Sequence, residues 1–71
     1  MNLVEVRVKI VGQRMMRKVK ITPRTKITDL LKLLGQNRET VVVRVNGKII
    51  TEEEGLAGGD LVEILPIVTG G

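Results

Sequence analysis

The sequence predicts an α+β fold: a mixed sheet of four to five strands with one helix packed on one face, in the order β-β-α-β-β-β. Three observations predict it. Apolar residues alternate with charged ones over residues 4–10 and again over 15–21, the period-two pattern of half-buried strands. The period changes once, over 27–34, to the i, i+3, i+4, i+7 spacing of one helix face. Beyond it the chain returns to β-branched runs bounded by turn residues, and 71 residues make one domain.

In the first segment Val4, Val6, Val8 and Ile10 point one way while Glu5, Arg7 and Lys9 point the other. Gly12-Gln13 reads as a turn. Met15, Arg17, Val19 and Ile21 then alternate with Met16, Lys18 and Lys20, which gives a second strand and hence a hairpin. Thr22-Pro23 ends that pattern, because proline lacks the N–H a ladder needs. Ile27, Leu30, Leu31 and Leu34 form the apolar stripe of a helix of about ten residues. Thr25 or Thr28 is the expected N-cap, Asp29 suits the positive end of the dipole, and Gly35 is the natural stop.

Thr40–Val45 is a β-branched run in which only Arg44 is charged, so it reads as a well-buried strand. Asn46-Gly47 is the strongest short hairpin signal, since both central residues of a type I′ turn need positive φ, and Lys48-Ile49-Ile50 is the short return strand. Thr51–Asp60 holds four acids and three glycines around Leu56, which reads as a loop pinned by a single apolar plug. Leu61–Val68 is the last strand, with Val62 and Ile64 on one side, Leu61, Glu63 and Leu65 on the other, and Pro66 limiting its ladder. Residues 1–68 therefore form the domain, and residues 69–71 a flexible C-terminal diglycine tail. Val41, Val43, Val45, Ile64, Leu30, Leu31 and Leu34 are expected in the core.

Composition narrows the chemistry sharply. There is no Cys, His, Ser, Tyr, Phe or Trp, which removes thiol and imidazole chemistry, the usual nucleophilic triads, and zinc sites of the common ligand types. Disulfides are excluded too, which fits a reducing cytoplasm. No apolar run approaches the ~20 residues that span a bilayer, and residues 1–11 carry charges that a signal peptide lacks. A cytoplasmic protein with no membrane partner, and not an enzyme, is the expectation. Glu52-Glu53-Glu54 is the one carboxylate cluster and reads as a solvated charge run, with at most a weak affinity for a divalent cation. Gly55 with Gly58-Gly59 lacks the following helix and the lysine of a phosphate loop, so turn geometry accounts for it. No catalytic residue, metal site or bound cofactor is expected.

The net charge of +4 is unevenly spread. Residues 7–26 hold eight of the twelve cations and no acid, whereas residues 52–63 hold five of the eight acids and no cation. With the helix on one sheet face, the other face is left to a partner. Alternation places Arg7, Lys9, Lys18, Lys20, Val42, Arg44, Glu63 and Leu65 on it, with Met16 nearby. An apolar centre of Val42 and Leu65 rimmed by cations such as Arg7 and Arg44 would dock an acidic-rimmed protein; an ordinary solvated sheet face is the competing account.

The chain closes on Thr69-Gly70-Gly71. Two residues without Cβ can thread a narrow channel in extended form and present an α-carboxylate to an enzyme. A frayed terminus is the plain alternative. A carboxylate is a poor electrophile, so use of this one as an acyl donor requires activation, most simply adenylation by ATP.

The run Val45-Asn46-Gly47-Lys48-Ile49-Ile50, then Leu56, Gly59-Asp60 and residues 62–71, resembles the ThiS/MoaD superfamily of sulfur carriers, and within it the archaeal small modifier proteins. Ile27-Thr28-Asp29-Leu30-Leu31 is similar to the family's helix start, and element order follows the β-grasp plan of ubiquitin, whose first and last strands lie parallel at the sheet centre. The resemblance implies that the Gly71 carboxylate is adenylated by an E1-like enzyme of the ThiF/MoeB kind, with Gly70 threading into it. The cofactor implied, Mg-ATP, belongs to that partner. A sulfur donor (a persulfide enzyme or sulfide) would convert the end to a thiocarboxylate for thiamine, molybdopterin or tRNA thiolation. The alternative fate is an isopeptide bond to lysines of target proteins. The acceptors implied are a sulfur-accepting enzyme or those lysines.

Two readings from other classes compete. A TGS-like RNA-binding module would use the basic half of the chain, but without aromatics there are no stacking platforms, and a direct nucleic-acid partner is not expected. A plain ubiquitin-like interaction module, never activated, would be unharmed by residues added after Gly71, whereas a carrier would lose its function unless a protease first removed them.

Overall fold

The computed structural model describes residues 2–50 and 54–67. Its elements are β1 (Val4–Ile10), β2 (Met16–Ile21), α1 (Ile27–Leu33), a 3₁₀ turn (Arg38–Thr40), β3 (Val41–Val45), β4 (Lys48–Ile49) and β5 (Leu61–Pro66). They build a five-stranded sheet in the order β2-β1-β5-β3-β4. β1 and β5 run parallel at its centre, and the remaining pairs are antiparallel. This is the predicted mixed sheet and the predicted central pairing. Among the described residues, no helix is long and apolar enough to cross a membrane.

The period-two pattern delivers the core. Val6 and Val8 from β1, Val41, Val43 and Val45 from β3, and Val62 and Ile64 from β5 are buried together with Ile27, Leu30 and Leu31 of α1. Leu34 is only half-buried and packs against that cluster from its rim. Helix α1 has seven residues, shorter than the spacing suggests. Its N-cap is Lys26, whose side chain caps nothing, so neither Thr25 nor Thr28 does the capping expected of it. Thr25 instead donates its hydroxyl to the Thr22 carbonyl at 2.6 Å, closing the turn before the helix. The stop is as predicted. Gln36 N–H bonds the Leu31 carbonyl and Gly35 N–H the Lys32 carbonyl, the paired bonds of a Schellman end.

Three local boundaries shift. The β1–β2 turn centres on Val11-Gly12 rather than Gly12-Gln13, closed by Gln13 N–H to the Ile10 carbonyl. Thr40 belongs to the 3₁₀ turn, where its hydroxyl donates to the Asn37 carbonyl, so β3 starts one residue later. β5 ends at Pro66. The β1 ladder stops at Ile64 while the β3 ladder continues past Pro66 to a bond from Ile67 N–H to the Thr40 carbonyl. The missing proline donor thus faces the side where β1 has already turned away.

The loop before β5 is anchored as expected through Leu56, which is 2% exposed. Its amide donates to the Thr25 carbonyl and its carbonyl accepts from Arg24. Gly55 lets the two segments approach closely, since a Cβ would sit 3.2 Å from the Arg24 backbone and press on it. Asn46 and Gly47 both take positive φ, as the type I′ turn demands. Asn46 also donates to Asp60 at 3.0 Å and accepts from Leu61 N–H at 3.0 Å, tying the β3–β4 turn to the start of β5. Residues Glu52 and Glu53 of the acidic run lie outside the described residues, and among the described residues no group of acids could hold a metal ion.

Candidate functional site: the uncovered sheet face and the end of β5

Strand β5 sits between β1 and β3, so both of its edges are bonded. It carries the chain out of the sheet beside the Val11-Gly12 turn and the 3₁₀ turn, with Val11 N–H bonded to the Ile64 carbonyl and Ile67 N–H to Thr40. Gly70 and Gly71 lie outside the described residues, as do Val68 and Thr69. Just before them stand four apolar residues, the half-buried Val42 and Leu65 and the exposed Val11 and Ile67.

The register settles which side chains share the face away from α1. One row crosses all five strands: Met16, Lys9, Glu63, Arg44 and Ile49. A parallel row joins Lys18, Arg7 and Leu61, and another joins Leu65 to Val42 nearer the end of β5. Glu5 pairs with Lys20. The predicted docking residues Arg7, Val42, Arg44 and Leu65 therefore do lie on one face. The centre differs from the expected apolar patch with a free cationic rim. Arg44 grips Glu63 in a fork, Nε to Oε1 at 3.0 Å and Nη2 to Oε2 at 2.9 Å. Arg7 reaches across to the Gly59 carbonyl at 3.4 Å. Cationic Lys9 and Lys18 stand on β1 and β2, while Val42 and Leu65 lie near the end of β5.

Ile49 belongs to this face and was not anticipated; it is 75% exposed and lies opposite Arg44. A two-residue strand shows no periodicity. The signal was the turn, since a two-residue loop at Asn46-Gly47 pairs 45 with 48 and hence 44 with 49.

The Glu63 side chain is 16% exposed and its carboxyl is held below the usual glutamate range. The Arg44 hydrogen bond is the main cause, with the charges of Arg44 and Lys9 adding to it against partial burial. A depressed carboxyl pKa contributes stability above the unfolded-state value, and that contribution disappears as pH falls through the folded value. Acid titration of the thermal midpoint should show a loss beginning in the ordinary glutamate range. Glu63→Gln should remove that part of the slope; an unchanged slope would mean that the fork does not couple to folding.

Residues 6–71 match the sequence profile of the ThiS family. The chain belongs to the ThiS family, small carrier proteins of ubiquitin-like fold rather than catalysts. Solved structures agree on the fold. A Pyrococcus furiosus protein assigned as molybdopterin converting factor, subunit 1, superposes with a TM-score of 0.76 at 21% identity, over 92% of this chain and 99% of that one. The ubiquitin of Caldiarchaeum subterraneum gives 0.73 at 15% identity, over 99% and 100%. Urm1 from Trypanosoma brucei gives 0.67 at 19% identity, over 100% and 99%.

Proposed function

We propose that this protein is a sulfur carrier or protein modifier whose Gly71 carboxylate is adenylated by an E1-like enzyme of the ThiF/MoeB type using Mg-ATP. A carboxylate oxygen attacks the α-phosphorus and pyrophosphate leaves. Sulfide then displaces AMP to give the thiocarboxylate directly. The persulfide of a sulfur-donor enzyme instead displaces AMP to give an acyl disulfide, which a second thiol of that enzyme cleaves to release the thiocarboxylate and leave an enzyme disulfide. In the other fate a target lysine amine takes the acyl group as an isopeptide and AMP leaves. The carrier contributes no acid, base or metal. Its part is delivery: a tail thin enough to thread at Gly70, and a face that docks. Such a carrier works in a reducing cytoplasm, where thiocarboxylate and persulfide survive.

The observation that carries this reading is the position of β5, bonded on both edges at the sheet centre and followed in sequence, after three residues, by the diglycine. Beside the exit stand Val42 and Leu65, exposed enough to meet a partner, with Arg7 and Lys9 on the same face. The family match also runs through Gly71.

Incubation with an activating enzyme, Mg-ATP and a sulfide donor should raise the intact mass by the difference between sulfur and oxygen. The chain lacking Gly71 should gain nothing. Equal gains by both chains, or none by either with several activating enzymes, would reject the carrier and leave a binding module.

A further inference from the structure

Strand β2 is a sheet edge, bonded to β1 and to no other strand among the described residues. Which of its backbone groups are free follows from the opposite side of β1. Arg7 N–H bonds the Asp60 carbonyl next to β5, so alternation turns Val4, Val6 and Val8 toward β2. Their partners Ile21, Val19 and Arg17 exchange the ladder bonds, and the N–H and C=O of Met16, Lys18 and Lys20 point outward.

Alongside this open edge runs the groove between β2 and α1, about 530 Å³, lined among others by Leu3, Ile21, Asp29, Lys32 and Leu33. Leu33 is 69% exposed and Leu3 55%, apolar surface that the core does not use. Lys20 and Lys32 also line the groove, and Arg17 and Lys18 stand on the same edge strand. None of the four forms an ion pair among the described residues, and Asp29 is the one acid lining the groove.

We infer that the β2 edge and its groove take an extended peptide segment as a sixth strand, one that alternates apolar with acidic residues. Backbone groups of the added strand pair with Lys18 and Lys20. Its apolar side chains fall on the helix side with Val19, Ile21 and Leu33, and its acids on the other side beside Lys18 and Lys20. A second copy fits badly, since joining two β2 edges sets Arg17, Lys18 and Lys20 against the same cations. RNA would use the charges but neither the free backbone row nor the apolar groove. The inference is independent of the tail, so it stands whether or not Gly71 is activated.

The probe is a synthetic nonapeptide alternating valine with glutamate, titrated into isotope-labelled protein. Shifts are expected along Met16–Thr22 and at Asp29–Leu33, with slowed amide exchange at Lys18 and Lys20. A peptide with a central proline should bind about tenfold more weakly, as should the original peptide to a Lys18→Glu/Lys20→Glu variant that retains the wild-type spectrum elsewhere. Equal binding of the proline peptide would overturn strand addition. So would shifts confined to Val42 and Leu65, or tighter binding of a poly-uridine probe to the same residues.

Discussion

On the proposed carrier function, Leu65→Glu should leave the chain folded and lower its activation by an adenylating enzyme about thirtyfold or more. Leu65 lies outside the core cluster, half-buried beside Val42, in the strand that feeds the tail. A partner that seals this region from water would meet an unpaired carboxylate where it needs an apolar side chain. The tail remains intact in this variant, so the loss separates docking from the chemistry at Gly71. Steady-state pyrophosphate release measures it, with thermal unfolding as the control, where a surface change of this kind shifts stability by about 1 kcal/mol or less. Wild-type activation would mean that the enzyme grips another face.

Leu56→Ala should cost about 2–5 kcal/mol of folding stability. A chain of 71 residues sits near the low end of the roughly 5–15 kcal/mol that domains possess, so this change removes a large share. Leu56 is the one buried side chain of the described loop residues before β5, and its backbone clamps Arg24 and Thr25. Losing it opens a cavity beneath the segment that positions Gly59 and Asp60 against β1. Urea unfolding followed by far-UV circular dichroism reads the effect, since the chain has no aromatic residue to report otherwise. A cost under about 1 kcal/mol would show that the loop closes without its plug.

Much of this architecture is legible in single residues. Alternation over residues 4–10 and 61–65 fixes which side chains are buried, because a strand has only two faces. Asn46-Gly47 announces its turn and, through it, the β3–β4 register. What eludes periodicity is short or non-local. The 3₁₀ turn at Arg38–Thr40 spans too few residues to show a repeat. The N-cap fails because Thr25 finds a nearer acceptor in the Thr22 carbonyl. The Arg44–Glu63 fork joins residues 19 apart in sequence, and only the β3–β5 register brings them opposite. The diglycine is the reverse case, plain in the sequence and outside the described structure.

Pairing β1 with β5 also sets the order in which the molecule is made. Arg7 and Gly59 touch although they lie 52 positions apart in sequence, and closing a loop of that length costs about 3.5 kcal/mol in chain entropy before the central ladder returns anything. Folding is therefore late and cooperative, slower than in a helical chain of equal size. On the ribosome the N-terminal hairpin has no neighbour to complete the sheet until β5 is released from the exit tunnel. A chain broken off before β5 lacks the centre of its sheet and the Val62 and Ile64 side chains that complete its core.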